Sequence, residues 1–368
     1  MFKIEKIHAF AVRVPLRTPI QMAKETVHAA DNLIVRATDS DGTVGWGEAA
    51  SAPAMTGETP ESLVAAARHM ASALEGREIT ETATLYQVLD RLMYGNHGAK
   101  AAIEIALLDL AGKRRNVPVY ELLGGKVRDD VSILTMIAGG DVAAEVESTK
   151  RQSGAGFTSF KVKAGIKGPE RDLERATAVR AAAGADAKIS ADANQGYDRD
   201  QGIAFARGAA QAGLDFMEQL VMGDDLEGMA ACARETSVPL GADEGLHSMR
   251  DIREHHERGA ASGGSLKVIK LGGAEAVMEG GRLMDNLGMQ INLAGKLAET
   301  SIASAAIAHL AVALPRLDWD TSVTNQYLAD DVVSNPVEIV RGRVRPSDAP
   351  GLGITPSEEK LAKYTSIQ

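Results

Sequence analysis

Residues 159–165 read SFKVKAG, and four similar runs follow: ISADANQ at 189–195, FMEQL at 216–220, GADEG at 241–245 and LKVIKLGG at 266–273. Each run is apolar and contains a charged residue, and these charges recur every 24 to 29 residues. A parallel strand with its return helix and two loops needs about that length of chain. The pattern therefore predicts successive parallel strands with charged C-terminal ends. Those charged residues are Lys163, Asp192, Glu218, Asp243 and Lys267.

The same alternation of strand and helix extends from Val131 to about residue 320. Strand starts are predicted near residues 131, 158, 187, 215, 238, 266, 289 and 316. Runs such as SFKV, KISA and LKVI are apolar throughout, which is typical of strands covered on both faces. Eight such strands predict a closed (β/α) barrel, in which the C-terminal strand ends meet at one mouth.

The chain on either side of this repeat has a different organisation. Residues 1–125 show strands and then helices, including a hairpin about Asp41-Gly42, and they predict an α+β domain. Loops are predicted at 15–32 and 50–58. We expect a barrel domain at 126–325, and a C-terminal segment at 326–368 that packs back on the first domain.

Composition excludes several classes of protein. The 368 residues carry a net charge of −10, which argues against a nucleic-acid surface. No apolar run is long enough to cross a bilayer, so no membrane partner is expected. No signal peptide is recognisable at the N-terminus. The single Cys232 cannot form an internal disulfide, and we therefore expect a cytoplasmic protein.

Three acids at matched strand ends are candidate metal ligands. Asp192, Glu218 and Asp243 would converge at the barrel mouth without a cluster of Cys or His beside them. Hard divalent ions prefer carboxylate oxygens, which favours Mg²⁺, or Mn²⁺, over Zn²⁺. Alternatively, each acid caps the next helix or pairs with a lysine.

Lysines flank this acid set. Lys161 and Lys163 point the same way along one strand, and their repulsion favours loss of a proton from one of them. Lys267 would lie on the opposite side of the ring, so two lysines could act on opposite faces of a carbon acid. Lys270 belongs to the same run as Lys267. We prefer Lys267 because its distance from Asp243 in the sequence continues the series of intervals.

These residues together resemble the enolase superfamily, in its muconate-lactonizing-enzyme subgroup. The resemblance also rests on YGNHGAKAAIEIALLDLAGKRRNVPVYELLGG at 94–125 and PGLG at 350–353. It implies a modified (β/α)7β TIM barrel with an N-terminal α+β capping domain that the C-terminal tail completes. It further implies a homo-oligomer that acts on a small carboxylate.

The resemblance also implies the site chemistry. Lys163 and Lys267 would be the acid/base pair, and Lys161 the neighbour that tunes the base. The three acids would bind Mg²⁺. The shared reaction is abstraction of a proton next to a carboxylate, giving an enediolate that the metal stabilises.

Substrate specificity should depend on the two loops and on the last two barrel strands. Asp318 and Asp320 would share one face of strand eight, where they resemble an Asp-x-Asp pair that binds a substrate ammonium in relatives. Lys296, after strand seven, replaces a small or apolar residue and would bind a distal carboxylate or pair with Asp320. Other candidate substrate contacts are Asn194, Ile20, Met22, Met55 and Thr56.

The first functional hypothesis is racemisation or epimerisation of an amino acid, an N-modified amino acid or a dipeptide. A dehydratase of the hydroxyproline type and a muconate-type cycloisomerase are alternatives with the same first step. Ser322 stands where muconate cycloisomerases tend to have a glutamate, which counts against the last of these. A Schiff-base lyase and a non-catalytic binding protein remain as readings from other classes.

Overall fold

The structure is a computed structural model that describes residues 2–21, 26–80, 85–139 and 141–367. The chain begins with an antiparallel sheet of three long strands, β1 (Phe2–Gln21), β2 (Thr26–Asp39) and β3 (Val44–Ala50). Asp39 accepts hydrogen bonds from the amides of Asp41 and Thr43 with its Oδ1, and this stabilises the turn between β2 and β3.

The predicted loop at 15–32 is wrong for the described residues. β1 and β2 instead form a long hairpin that still pairs Ile20 with Val27. The prolines that suggested a loop, Pro15 and Pro19, lie where the ladder shifts its register, and prolines are tolerated at such irregular positions. Met22 lies outside the described residues.

Helices cover one face of this sheet. They are α1 (Pro53–Thr56), α2 (Pro60–Leu74), α3 (Leu85–Leu92), α4 (His97–Arg115) and α5 (Val119–Leu122), with the short strand β4 (Glu78–Ile79) after α2. The helical turn α1 lies within the predicted loop at 50–58. Gly45 and Gly47 of β3 allow α4 to approach closely, because a Cβ atom on Gly47 would lie 1.9 Å from the Ala102 carbonyl oxygen.

The second part of the chain forms a parallel barrel, as the sequence predicted. After β5 (Val131–Ser132), its strands are β6 (Leu134–Ile137), β7 (Ser159–Lys163), β8 (Lys188–Asp192), β9 (Phe216–Glu218), β10 (Leu240–Ala242), β11 (Gly263–Leu266), β12 (Gln290–Ala294) and β13 (Thr321–Ser322). They are barrel strands one to eight. The ring closes through a parallel bridge between Ile133 and Thr321.

Helices connect the consecutive barrel strands, and two of them lie between β11 and β12. They are α6 (Val142–Gly154), α7 (Pro169–Ala183), α8 (Arg199–Ala209), α9 (Leu226–Arg234), α10 (Met249–Glu257), α11 (Val268–Leu271), α12 (Ala274–Asn286) and α13 (Ser301–Ala313). None of the described helices combines the length and the apolar character that a bilayer crossing needs.

Trp319 fills the inside of the barrel near its N-terminal end. Its ring stacks on Phe216 of strand four at 4.2 Å between centroids, and it packs with Leu134 of strand one. Cβ atoms on Gly241 and Gly263 would lie 2.6 and 2.3 Å from the same ring. Contacts with strands one, four, five and six at once are possible only from the interior, so Trp319 forms a floor.

The C-terminal tail returns to both parts of the chain. It contains a 3₁₀ turn (Asn325–Tyr327), β14 (Ile339–Val340), β15 (Arg343–Val344), α14 (Glu358–Tyr364) and β16 (Thr365–Ile367). β15 pairs with β5, and β16 adds to the first sheet beside β1. The first sheet is therefore built from both ends of the chain.

Candidate active site

The charged residues at the barrel mouth lie in one row because the parallel strands are in register. Lys163 pairs with Asp192, and Asp192 pairs with Glu218, in adjacent strands. Asp243 follows the end of β10, where its amide donates to Gln219 Oε1 at 2.8 Å. Lys267 follows directly after β11. The five side chains predicted from the intervals are therefore brought together.

Each of the three acids is in contact with a lysine. Lys163 Nζ lies 2.6 Å from Asp192 Oδ2, and Lys161 bonds to Glu218 Oε2. Lys267 bonds to Asp243 Oδ2. Within the described ranges, no three His, Cys, Asp or Glu side chains are arranged so that they could bind a metal ion together. These ion pairs explain that finding, because the lysines occupy carboxylate oxygens that a metal would take.

The donor chemistry nevertheless fits a hard divalent cation. Asp192, Glu218 and Asp243 offer only oxygen atoms, lie on three consecutive strands and are almost completely buried. Ser265 Oγ donates to Glu218 Oε1 at 2.7 Å, and the Asn194 amide donates to Asp192 Oδ1 at 2.9 Å. Both bonds fix carboxylate orientation.

Charge pairing dominates the ionisation of these groups. Burial alone would raise the pKa of Asp243, but Lys267 and Lys270 outweigh it and hold that pKa below its usual range. Burial likewise opposes the charge of Lys161 and Lys267, yet the neighbouring acids, chiefly Glu218 and Asp243 respectively, raise both pKa values. Repulsion from Lys163 does not dominate at Lys161, because the neighbouring acids raise the pKa of Lys161.

Lys270 also reaches the site, contrary to the sequence prediction. The series of intervals favours Lys267 over Lys270, and a regular strand over LKVIKLGG would point the two lysines to opposite sides. The strand instead ends at Leu266, and α11 begins at Val268. Because the backbone turns there, Lys270 Nζ lies 2.6 Å from Asp243 Oδ1 while Lys267 bonds to the other oxygen.

A cavity of about 260 Å³ lies above this row of charges. Its lining divides into two parts, which we name by the strands that carry them. The polar arc, at strands two to six, contains Lys161, Lys163, Asp192, Asn194, Asp243, Glu244 and Lys267. The apolar arc lies at strands seven, eight and one and at the 3₁₀ turn after strand eight. It contains Leu297, Val323, Tyr327, Leu134 and Met136, together with Lys296.

Asn194 lies in the polar arc and connects two charged groups. Its Oδ1 accepts from Lys163 Nζ at 2.9 Å, and its Nδ2 donates to Glu244 Oε1 at 3.1 Å. Burial, together with Asp243, raises the pKa of Glu244 to about 7. Glu244 was not predicted as a site residue, although it directly follows Asp243 in GADEG.

The substrate contacts predicted on the two loops differ in whether they line the cavity. Met55 of α1 lines the cavity, and its Sδ lies 3.9 Å from Lys267 Nζ. Thr56 lies outside the lining, and its hydroxyl donates to the Ala52 carbonyl oxygen. Ile20 is buried in the core of the first domain. Tyr327 was missed because it lies on a 3₁₀ turn beyond the last strand, where strand periodicity gives no signal.

The predicted role of Asp318 and Asp320 is contradicted. Asp318 accepts from the Ile291 amide at 3.0 Å, and Asp320 lies 3.1 Å from Lys188 Nζ. Ile291 and Lys188 lie at the N-terminal ends of their strands, opposite the cavity. Strand eight begins only at Thr321, and Trp319 takes the interior position that the prediction gave to the acids. Pairing of Asp320 with Lys296 is excluded for the same reason.

A parallel eight-stranded barrel with acids and lysines around one capped mouth defines a (β/α) barrel enzyme. Two family models divide the chain between them. Residues 4–124 match the mandelate racemase / muconate lactonizing enzyme N-terminal domain, and residues 141–360 match the enolase C-terminal domain-like family. The chain therefore belongs to the enolase superfamily, in its mandelate racemase and muconate lactonizing enzyme family.

Individual relatives agree over almost the whole chain. An N-succinyl-L-Arg/Lys racemase of Bacillus cereus is 31% identical and covers 100% of this chain and 99% of its own. Muconate cycloisomerase 1 of Pseudomonas putida is 32% identical, with 98% of both chains covered. The crystal structure of a muconate lactonizing enzyme from Pseudomonas fluorescens has a TM-score of 0.95 at 30% identity and covers 99% of this chain and 100% of its own.

These findings confirm the expected class of enzyme. The relatives are racemases, epimerases and cycloisomerases of the same superfamily, and the predicted barrel with an N-terminal cap is confirmed by their structures. Among them are enzymes that differ in reaction, so the specific substrate does not follow from the family.

Proposed function

We propose that the enzyme abstracts the proton next to a substrate carboxylate and inverts that carbon in an amino acid derivative or dipeptide. The observation that carries this proposal is the placement of Lys163 and Lys267. They end strands two and six of an eight-stranded ring, which are diametrically opposite, and both line one cavity. A base on each face is what inversion of a carbon acid requires.

The proposal assigns a metal role to the acids. Enzymes of this family are generally Mg²⁺-dependent. Asp192, Glu218 and Asp243 would hold Mg²⁺ after exchanging their lysine contacts for the ion. When bound, Mg²⁺ would supply positive charge to stabilise the negative charge that develops on the substrate carboxylate.

The chain's own groups perform the proton transfers in this proposal. Lys163 Nζ takes the proton from one face, and Lys267 Nζ delivers a proton to the other. Asn194 orients Lys163 through the 2.9 Å bond to Oδ1. Lys161 lies beside Lys163 on the same face of strand two and would place its ammonium group beside the reacting carboxylate. The buried site excludes bulk water around these charges.

A cycloisomerase that acts on muconate is the second candidate. It is favoured by the similarity to a muconate lactonizing enzyme over 99% of this chain. It is also favoured because Asp318 and Asp320 lie away from the cavity and therefore no longer indicate a substrate with an amino group. Elimination from a hydroxylated substrate uses the same first step. Schiff-base chemistry is disfavoured, because the relatives of this chain are racemases, epimerases and cycloisomerases.

Proton exchange in D₂O tests the proposal. Each enantiomer in a library of amino acids, N-acyl amino acids and dipeptides is incubated with Mg²⁺-loaded enzyme, and mass increase at the α-carbon is measured. We expect Lys163→Ala to lose exchange for one enantiomer and keep it for the other, while Lys267→Ala shows the reverse. Both variants should lose inversion by about 10²-fold or more, the usual contribution of a general base.

Lys188→Ala is the matched control, because Lys188 lies on the adjacent strand at the opposite end of the barrel. Its exchange rates should remain those of the wild type. Equal loss of exchange for both enantiomers in Lys163→Ala would exclude two opposed bases. Conversion of muconate without α-proton exchange of any library member would instead select the cycloisomerase.

A further inference from the structure

The side of the cavity opposite the catalytic charges offers a substrate mainly hydrocarbon. The acids that could hold a cation, and both proposed bases, belong to the polar arc. A substrate whose carboxylate reacts there has to place its other atoms against the apolar arc. Leu134 and Met136 alternate along strand one and so share its inner face, while Leu297 and Val323 follow strands seven and eight.

The cap adds apolar side chains to the same cavity. Its contributions to the lining are Ala52, Ala54 and Met55, which lie in α1 or directly before it. A substrate is therefore contacted by hydrocarbon from the cap as well as from the barrel wall.

Two hydroxyl groups in this wall already donate to the protein backbone. Ser322 Oγ donates to the Leu134 carbonyl oxygen at 3.1 Å. Thr324 Oγ1 donates to the Lys296 carbonyl oxygen at 2.7 Å. Each hydroxyl has one hydrogen to donate, so neither can donate to a substrate without breaking its present bond.

Tyr327 and the side chain of Lys296 are also engaged within the protein. The Tyr327 hydroxyl oxygen accepts from the Met136 amide at 3.1 Å, which holds the tyrosine against strand one. Lys296 is partly buried and already has an interaction within the chain. A polar group of a substrate would have to compete with these interactions, whereas a hydrocarbon group would leave them intact.

We propose that the substrate carries an apolar side chain of several carbon atoms on the reacting carbon, and that the apolar arc selects it. This inference rests on the proposed function, which places the reacting carboxylate in the polar arc. It narrows the substrates to derivatives of amino acids with hydrocarbon side chains. Burial of such a side chain is favourable in proportion to the apolar area removed from water. A charged side chain would lose its hydration without a matching gain.

Binding of straight-chain acids tests the inference without turnover. Butanoate, pentanoate and hexanoate differ by one methylene each, whereas adipate and 6-aminohexanoate end a chain of six carbons in a negative or a positive charge. Titration calorimetry with Mg²⁺ present should show affinity for the first three acids rising about 4-fold per methylene. Hexanoate should bind at least about 10-fold more tightly than both charged acids.

Leu297→Ala should weaken hexanoate by about 4- to 10-fold and leave butanoate nearly unchanged, because it removes hydrocarbon from the wall. Leu297 is partly buried in a loop, so this substitution should leave the fold intact. Leu287→Ala is the matched control. Leu287 is also partly buried, but it lies at the end of α12 and outside the cavity lining, so this variant should bind as the wild type does.

Equal affinities along the methylene series overturn the inference, as does an unchanged hexanoate affinity in Leu297→Ala. Tighter binding of adipate or 6-aminohexanoate than of hexanoate also overturns it, since a charged group of the wall would then select the substrate. These outcomes are separate from the proposed function. Enzyme that prefers hexanoate but exchanges no α-proton rejects the chemistry and keeps the apolar subsite. Exchange of α-protons together with a flat methylene series does the reverse.

Discussion

Lys270 shows how a single buried charge organises the mouth of the barrel. Its ammonium is completely buried, and its three donors go to Asp243 Oδ1, the Asp243 carbonyl oxygen and the Ser265 carbonyl oxygen. The last bond is 2.9 Å long. One side chain therefore ties the end of strand five to strand six. Lys270 does not line the cavity, so it positions Asp243 without touching a substrate.

Lys270→Met should destabilise the enzyme by about 3–5 kcal/mol, because it leaves the Asp243 carboxylate and two carbonyl oxygens buried with fewer partners. Urea unfolding measures this. Lys113→Met is the comparison, since Lys113 pairs with Asp109 at 2.7 Å but has a side chain that is 26% exposed. We expect Lys113→Met to lower the free energy of unfolding less than Lys270→Met does. A loss for Lys270→Met no greater than that for Lys113→Met would refute the role.

At the scale of the elements, α13 joins three separate parts of the chain through His309. The Tyr120 amide of α5 donates to His309 Nδ1, and Nε2 faces the Leu352 carbonyl oxygen of the tail, both at 3.3 Å. This arrangement requires a neutral ring with its proton on Nε2. Burial lowers the pKa of His309 to about 4.

The lowered pKa predicts a pH-dependent stability. As the pH falls, His309 of the unfolded chain takes up a proton near pH ~6.5, whereas His309 of the folded protein does so only near pH 4. The stability that neutral His309 contributes is therefore fully present above pH ~6.5 and is lost as the pH falls toward 4. The loss is on the order of 3 kcal/mol. Urea unfolding of wild type and His309→Gln across this range should show a smaller loss in the variant. Parallel curves for the two proteins would contradict the assignment.

Regular elements were predictable from the sequence because their signal is periodic. The interval between charged residues located strands two to five and the side chains at their ends. The interval also placed Lys267 correctly, but the prediction of a strand over LKVIKLGG was wrong, because Val268, Ile269 and Leu271 suit a buried strand or a buried helix equally. Gly272 decides for the helix, since it takes a left-handed φ of 96° and its amide bonds to the Val268 carbonyl oxygen.

Strand eight failed for a different reason. Alternation of Asp318, Trp319 and Asp320 suggested a regular strand, yet Asp320 has a φ of 57° and the strand begins after it. The space for Trp319 is created by Gly241 and Gly263, which are far away in the sequence. Packing between distant segments leaves no local pattern, so the sequence could not show which side chain points inward.

At the scale of the whole molecule, the last residues of the chain complete the first sheet. β16 pairs with β1 at Ala11 and Val12, and Leu361 of α14 is buried against the same core. The two ends of the chain therefore share one sheet and one core, although more than 300 residues separate them.

Leu361→Ala should destabilise the protein by about 2–5 kcal/mol, since it removes a buried side chain from a packed core. Hydrogen exchange should show faster opening at the edge of β1 around Ala11, which is distant in sequence but paired with the tail. Glu359→Ala is the control on the same helix, because Glu359 is exposed. Exchange confined to the tail in Leu361→Ala would show that the ends fold separately.

The floor formed by Trp319 determines how ligands enter and leave the barrel. Trp319, Phe216 and Leu134 close the lower end of the barrel, so no ligand can thread through it. Substrate and product must both pass through the mouth of the barrel, where Met55 contacts Lys267. A product must therefore leave by the same opening before the next molecule enters.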